Sequence, residues 1–177
     1  MDENMDDMVM DKAARGKKAA VSGFAHELIA AGILMKKYLN VSVVDLPLSP
    51  YDIVIVFKNK GGIEDIIRAQ VKTAIKSVSF GGGSRGGVDR TYKSGVKQYT
   101  QSTKTSDVVI GIHPNENRSY DLYFIPTLLI EILKQKSLAV NKISFLKNNY
   151  QMLERCKDKD FVLEECRKGR LEITFSK

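Results

Sequence analysis

Apolar and polar residues alternate with two different periods along this chain, and each change of period marks a new element. From Ala14 to Leu39, apolar residues recur at steps of three and four, which predicts a long helix. Strands are predicted at 41–44, 52–57, 64–75, 108–112 and 120–125, helices at 127–133 and 142–168, and a last strand at 171–175. Gly61-Gly62 supplies the turn of a hairpin between the second and third strands. This order indicates an α/β or α+β fold with helices flanking a mixed central β-sheet.

Length and composition are typical of one soluble domain. The chain has 177 residues, of which 43% are hydrophobic and 28% charged. We expect residues 1–13, which are rich in acids and show no periodicity, to form a flexible tail, and residues 14–177 to form a single domain. No apolar run approaches the roughly 20 residues of a membrane span, and the acidic start is unlike a signal peptide. Cys156 and Cys166 lack metal-ligand spacing, which favours reduced thiols and a cytoplasmic location.

The positive charge of the chain is concentrated after the acidic tail. The net charge is +7, and the segment 66–106 holds eight bases against one acid, Asp89. Such asymmetry is expected of a surface that binds a polyanion. A merely solvated basic surface is the alternative, and an acidic membrane surface is a weaker one because no amphipathic basic helix accompanies the charge.

The most informative polar residues lie on the second and third predicted strands. Asp52 precedes the apolar run Ile53–Phe57, and Gln70 and Lys72 have the spacing that points both side chains to one face of a strand, with Val71 pointing to the other. A carboxylate, an amide carbonyl and a main-chain carbonyl can bind Mg²⁺, and a nearby ammonium can stabilise charge that develops on a phosphate. The alternative is that Asp52 starts a turn and that the other two face solvent.

A single acid marks the predicted first helix. Glu27 is the only acid between Lys12 and Val44, and it lies at the border of the apolar stripe that includes Phe24 and Leu28. A carboxylate in that position loses hydration unless a positive charge meets it. A surface glutamate with a lysine neighbour is the alternative.

Three short stretches together resemble a known nuclease superfamily. Glu27 on the helix, then Ser49-Pro-Tyr-Asp52, then Gln70-Val-Lys-Thr73 is similar to the motifs of the PD-(D/E)xK nucleases, in particular the restriction-endonuclease and intron-homing branch with a QxK final motif. The resemblance covers about residues 15–130 and implies a restriction-endonuclease-like core, with a C-terminal helical part at about 131–177.

The resemblance also implies roles for individual residues. Asp52 would bind the metal, Gln70 would be the second ligand with the Val71 carbonyl assisting, Lys72 would be the catalytic lysine, and Glu27 would contact the metal directly or through water. The implied cofactor is Mg²⁺, with Mn²⁺ as a substitute. Gln70 stands where the superfamily has an acid, which removes one negative charge from the cation site and places more weight on Glu27.

The basic segment after these motifs is the candidate DNA-binding region. It mixes cations, aromatic rings and amides that can contact phosphates and base edges, namely Arg85, Arg90, Tyr92, Lys93, Lys97, Gln98, Tyr99, Gln101 and Lys104. The Gly81–Gly87 stretch lacks the Lys-Ser/Thr of a P-loop, so a basic loop that contacts its ligand is the preferred interpretation. His113 is expected in a solvated turn at 113–117.

Three functional hypotheses follow. The leading one is a Mg²⁺-dependent DNA endonuclease, most simply a type II restriction enzyme that cuts double-stranded DNA as a homodimer, since two strands call for two cleavage centres. A Holliday-junction-resolving or intron-homing endonuclease would use the same centre. A non-catalytic DNA-binding protein is the alternative of another class. The apolar residues after 140, among them Ile143, Leu153 and Phe161, could form the dimer interface.

Overall fold

A five-stranded mixed sheet forms the centre of the protein in the computed structural model, which describes residues 12–46, 49–59, 61–82 and 98–173. The sheet strands are β1 Asn40–Val43, β2 Ile53–Lys58, β3 Glu64–Thr73, β7 Val108–Pro114 and β8 Tyr120–Pro126. Their order is β1-β2-β3-β7-β8, antiparallel throughout except for the parallel pair β3–β7. The predicted hairpin of β2 and β3 is confirmed.

Shorter elements surround this sheet. The small strands are β4 Ser77–Ser79, β5 Gly81–Gly82, β6 Tyr99–Thr100 and β9 Ser137–Ala139. The helices are α1 Lys12–Met35, α2 Thr127–Leu133, α3 Tyr150–Glu154 and α4 Lys159–Lys168, with a 3-10 segment at Val140–Leu146. β4 pairs with β9, and β5 pairs with β6. Helix α1 packs against β1 and β3, and α2 and α3 pack against β8, so the predicted mixed sheet with flanking helices is confirmed.

Helix α1 buries a different part of its surface from the part that the sequence suggests. Ala30, Ala31 and Leu34 are buried in the core, as their spacing of one turn predicts. Phe24 is 57% exposed and Leu28 48% exposed, so the stripe that was expected to face the sheet is largely in solvent. The reason is geometric, because Phe24 and Leu28 lie on a different side of the helix from Ala30 and Leu34, and the helix meets the sheet with the latter side.

The same helix corrects a second expectation. Ala14–Met35 contains an 18-residue window with a mean hydropathy of 1.2, and by length and composition alone it is long and apolar enough to cross a membrane. The expectation that no such stretch exists is therefore wrong. One helix of this kind is weak evidence for a membrane span, since the core helix of a soluble protein passes the same test.

The C-terminal part contributes to the core of this chain. Ile143, Leu153 and Phe161 are buried against the domain, so these residues do not form a free apolar face for a second copy. Cys156 and Cys166 are free and buried, and burial raises the pKa of each thiol to about 12. The predicted last strand is not seen at 171–173, and residues 174–175 lie outside the described residues.

Candidate functional site

The hairpin of β2 and β3 positions Asp52. Its backbone N–H donates to the Ala69 carbonyl over 2.9 Å, just before β2 begins. Since Ile53 is paired with Ala69, the next step of the register places Asp52 opposite Gln70. A side chain that precedes one strand is thereby placed beside the middle of its neighbour.

Hydrogen bonds converge on one oxygen of the Asp52 carboxylate. The Val71 backbone N–H donates to Oδ2 over 2.7 Å, and the Gln70 side-chain Nε2 donates to the same oxygen. Burial raises the pKa of Asp52, while the Val71 N–H and the charge of Lys72 act in the opposite direction. The carboxylate is thus held in one orientation while its ionised form is disfavoured by burial.

Side chains of β3 point alternately to the two faces of the sheet, as predicted. Val71 is 5% exposed and belongs to the core, while Lys72 is half-buried on the same strand face as Gln70. Lys72 lowers the pKa of both Asp52 and Glu27 through its charge. The three charged groups therefore lie within electrostatic reach of one another.

Helix α1 brings Glu27 to this cluster. Burial and the charge of Asp52 raise the pKa of Glu27 to about 7, with Lys72 opposing the shift. The neighbouring residue, His26, fixes the helix against the sheet, because its Nδ1 lies 2.8 Å from the Thr73 hydroxyl. Its ring also meets Tyr120 edge-on at a centroid distance of 5.9 Å. The sequence reasoning missed His26, whose partners lie 47 and 94 positions away along the chain.

The side-chain amide of Gln70 has a different hydrogen-bond partner for each of its two polar atoms. Its Nε2 faces Asp52, and its Oε1 accepts a hydrogen bond from Gln101 Nε2 over 3.1 Å. Gln101 was expected to contact base edges, but it is only 1% exposed and lies behind the site. No local pattern marks a buried glutamine of this kind, because its partners come from distant strands.

The remaining predicted DNA contacts divide into two groups. Arg85, Arg90, Tyr92, Lys93 and Lys97 lie outside the described residues. Of the others, Gln98 and Lys104 are exposed, and Tyr99 is half-buried against Gly82, where an added Cβ would come within 2.5 Å of the tyrosine ring. A larger residue at position 82 would therefore have to displace the Tyr99 ring.

Two further residues differ from their sequence-based interpretation. Arg68, counted among the bases of the 66–106 segment, is bound by Asp107 through Nη2–Oδ1 at 2.9 Å and Nε–Oδ2 at 3.1 Å. His113 lies within β7 instead of a turn, and its Nδ1 is 2.6 Å from the Ala74 carbonyl, to which it donates. The pairing of β7 with β8 extends to Pro114 and leaves no turn at that position.

The donor set of the site suits one hard cation. The charge of Asp52 reaches Glu27 and raises its pKa, and the Val71 carbonyl lies beside Gln70, whose Nε2 donates to it over 3.4 Å. Oxygen ligands of these types, completed by water, are what Mg²⁺ prefers. Among the described residues, no group of three His, Cys, Asp or Glu side chains could hold a metal ion.

Comparison with known proteins gives one structural likeness. The chain is similar to a bacterial homing endonuclease, I-Ssp6803I, with a TM-score of 0.47 and 16% sequence identity, over 68% of this chain and 76% of that one. No protein-family model and no curated protein sequence matches the chain. At this level of similarity, the function has to be argued from the residues of the site themselves.

Proposed function

We propose that this protein is a Mg²⁺-dependent DNA endonuclease that hydrolyses phosphodiester bonds. The observation that carries the proposal is that the β2–β3 hairpin holds Asp52 against Val71, next to Lys72, while α1 packs on β3 with Glu27 within reach of both charges. Two partly buried carboxylates beside one ammonium, with the charge of Asp52 raising the pKa of Glu27, do not serve packing. They suit a site that binds a cation and an anionic substrate together.

Each residue has a distinct part in this proposal. Asp52 and Glu27 hold the cation with the Val71 carbonyl, and the backbone N–H of Val71 fixes the Asp52 carboxylate. Lys72 lies beside the scissile phosphate, where its ammonium stabilises the negative charge that develops as water attacks. Mg²⁺, when bound, supplies Lewis-acid chemistry that polarises the phosphate.

DNA is the proposed substrate because the chain is basic around this site. The basic 66–106 segment contains Gln70 and Lys72, and the exposed Lys104 follows the paired strands β5 and β6. Lysine and arginine contacts to phosphates would give binding that weakens steeply with salt. We retain duplex DNA and a homodimer as the proposed target and assembly, as in a type II restriction enzyme, since cutting both strands calls for two such centres.

Cleavage of plasmid DNA with Mg²⁺ tests the proposal. Lys72→Ala is expected to lower the cleavage rate by about 100-fold or more while DNA affinity changes little, because the charge acts mainly on the transition state. Lys76→Ala is the matched control, since it removes an exposed lysine from the same part of the chain. Chelation of Mg²⁺ should stop cleavage by every variant.

The choice of substrate separates the remaining hypotheses. Discrete fragments from duplex DNA would support a restriction or homing activity, and cutting confined to four-way junctions would support a resolvase. If the protein binds DNA but cuts no duplex, branched or single-stranded substrate with Mg²⁺ or Mn²⁺, the endonuclease proposal is wrong and a non-catalytic DNA-binding protein remains.

A further inference from the structure

A buried chain of side-chain amides leads away from Asp52. Gln70 donates to Asp52 through Nε2 and accepts from Gln101 through Oε1. Gln70 is 8% exposed and Gln101 1% exposed, so neither amide can rely on bulk water for its hydrogen bonds. The orientation of one amide therefore constrains the orientation of the other.

The Pro50 carbonyl gives this chain its direction. Gln101 Nε2 donates to that oxygen over 3.1 Å as well as to Gln70. A carbonyl can only accept, so the atom of Gln101 that faces Pro50 has to be the amide nitrogen. Gln101 then meets the oxygen of Gln70, which leaves the nitrogen of Gln70 to face Asp52.

The surroundings of Gln101 hold it in place. Its Oε1 accepts from the Thr105 hydroxyl over 2.6 Å and from the Ser106 hydroxyl over 2.9 Å. Its backbone N–H donates to the Phe80 carbonyl over 2.8 Å. Hydroxyl groups can donate or accept, so they would tolerate either orientation of the amide, whereas Pro50 tolerates one.

We infer that Gln101 is a positioning residue that acts through Gln70 to hold the Asp52 carboxylate. If Gln70 turned its oxygen toward the site, its nitrogen would meet the nitrogen of Gln101. Gln101 would then have to rotate as well and bring its oxygen against the Pro50 carbonyl, with no proton between them. Gln70 thus provides a hydrogen-bond donor at the position where the resemblance implies a ligand oxygen.

This inference deepens the proposed function and rests on it for the role of Asp52, but its central contact can be tested without cleavage. In ¹⁵N–¹H correlation spectra, with Gln70 assigned by Gln70→Ala, we expect its side-chain amide protons to exchange with water about tenfold more slowly than those of the exposed Gln98. Gln101→Ala should remove that protection and shift the signals. Gln98→Ala is the matched control and should leave them unchanged.

Two outcomes of this measurement would overturn the inference. The first is that the Gln70 signals are unchanged in Gln101→Ala. The second is that they respond to Gln101→Ala but not to Asp52→Ala, which would mean that the Gln70 nitrogen faces Gln101 instead of Asp52. Should Gln101→Ala fail to fold, Thr105→Val removes one of the two hydroxyl donors and is expected to shift the same signals in the same direction by less.

Cleavage kinetics provide the second readout. Gln101→Ala is expected to lower kcat about tenfold at unchanged DNA affinity and to cause no further loss in a Gln70→Ala background, because both changes release the same carboxylate. Additive losses would indicate a merely structural role and overturn the inference. If the wild-type protein cleaves nothing, the proposed function fails, while the amide spectra still decide whether Gln101 orients Gln70.

Discussion

Glu27 is a carboxylate of the site whose pKa is raised far above its ordinary value. Its pKa of about 7 means that it is largely protonated in the folded, cation-free protein below neutral pH. Burial is the main cause, and Asp52 adds to it because a second negative charge nearby makes ionisation more costly. A bound divalent cation would favour the ionised form of Glu27 instead, because its positive charge attracts the carboxylate.

The pH dependence of stability provides a test at this residue. The folded pKa lies above the ordinary value of 4.5, so the folded state holds the proton more tightly than the unfolded state does. The tighter binding of this proton therefore stabilises the folded state fully below about pH 4.5, and this contribution is lost as the pH rises through about 7. Glu27→Gln avoids this loss and, without metal, should be more stable than the wild type by about 1 kcal/mol at pH 8, a value well below the full shift because the site is partly solvated.

Denaturant unfolding at pH 4 and pH 8, in the presence of a chelator, measures this difference. Glu116→Gln is the control, because Glu116 is exposed in the turn between β7 and β8. An equal effect of Glu27→Gln at both pH values would show that the carboxylate is not perturbed by its surroundings. Addition of Mg²⁺ should favour the wild type over Glu27→Gln if Glu27 helps to hold the cation.

The sequence could predict those site residues whose positions follow from strand alternation. Asp52 lies at a strand start, and Gln70 and Lys72 lie at alternate positions of one strand, so a hairpin alone brings them together. Gln101 could not be found in this way, because the contacts that bury it depend on how distant segments pack. An isolated glutamine in a basic, polar stretch has the same sequence pattern whether it is buried or exposed.

At the scale of elements, the parallel pair β3–β7 is the junction on which the site depends. Arg68 of β3 is bound by Asp107, which immediately precedes β7, through two side-chain hydrogen bonds, and its backbone N–H also donates to Asp107 Oδ2 over 2.8 Å. Arg68 Nη2 further donates to the Thr103 carbonyl over 3.0 Å. These contacts attach the segment that carries Gln101 to the strand that carries Gln70.

Asp107→Ala is expected to weaken this junction. Asp107 is 11% exposed in its side chain, so its removal leaves a guanidinium and a backbone N–H without their partner, at a cost of about 2–3 kcal/mol in unfolding free energy. Chemical denaturation measures the loss, and Asp107→Asn should be intermediate. Glu164→Ala, which breaks an exposed pair with Lys168, is the control and should have no measurable effect. If Asp107→Ala also had no measurable effect on the unfolding free energy, the backbone hydrogen bonds between β3 and β7 alone would hold these two strands together.

Local pattern predicts some of these elements better than others. The hairpins β2–β3 and β7–β8 join neighbours in sequence, so turn residues and apolar runs suffice to place them. The pairing of β3 with β7 crosses more than thirty residues, and its register is set by packing and by the Arg68–Asp107 contact. The exposed stripe of α1 is a similar case, because periodicity shows which residues share a face but not which face of the helix meets the sheet.

At the scale of the whole molecule, the site lies where separately packed parts of the chain meet. Helix α1 brings Glu27, the β2–β3 hairpin brings Asp52 and Lys72, and the segment before β7 brings Gln101. The C-terminal helices complete the core on the far end of the sheet, since α3 packs against β8 at its edge. The domain boundaries at residues 13 and 130 stay predictions.

The pairing of β5 with β6 has a consequence for how this protein could be modified. Gly82 and Tyr99 are opposite one another, so the two ends of the stretch 83–98 are held side by side. Closing a loop costs only about 0.6 kcal/mol more for each doubling of its length, so the domain should accept an exchanged or lengthened segment there.

Replacing residues 83–97 by a Gly/Ser stretch of equal length should therefore preserve the unfolding midpoint while DNA affinity falls. A large drop in the unfolding midpoint would show that the folded core needs this segment. An unchanged midpoint would mean that a segment from another DNA-binding protein could be inserted at this position to change the DNA preference.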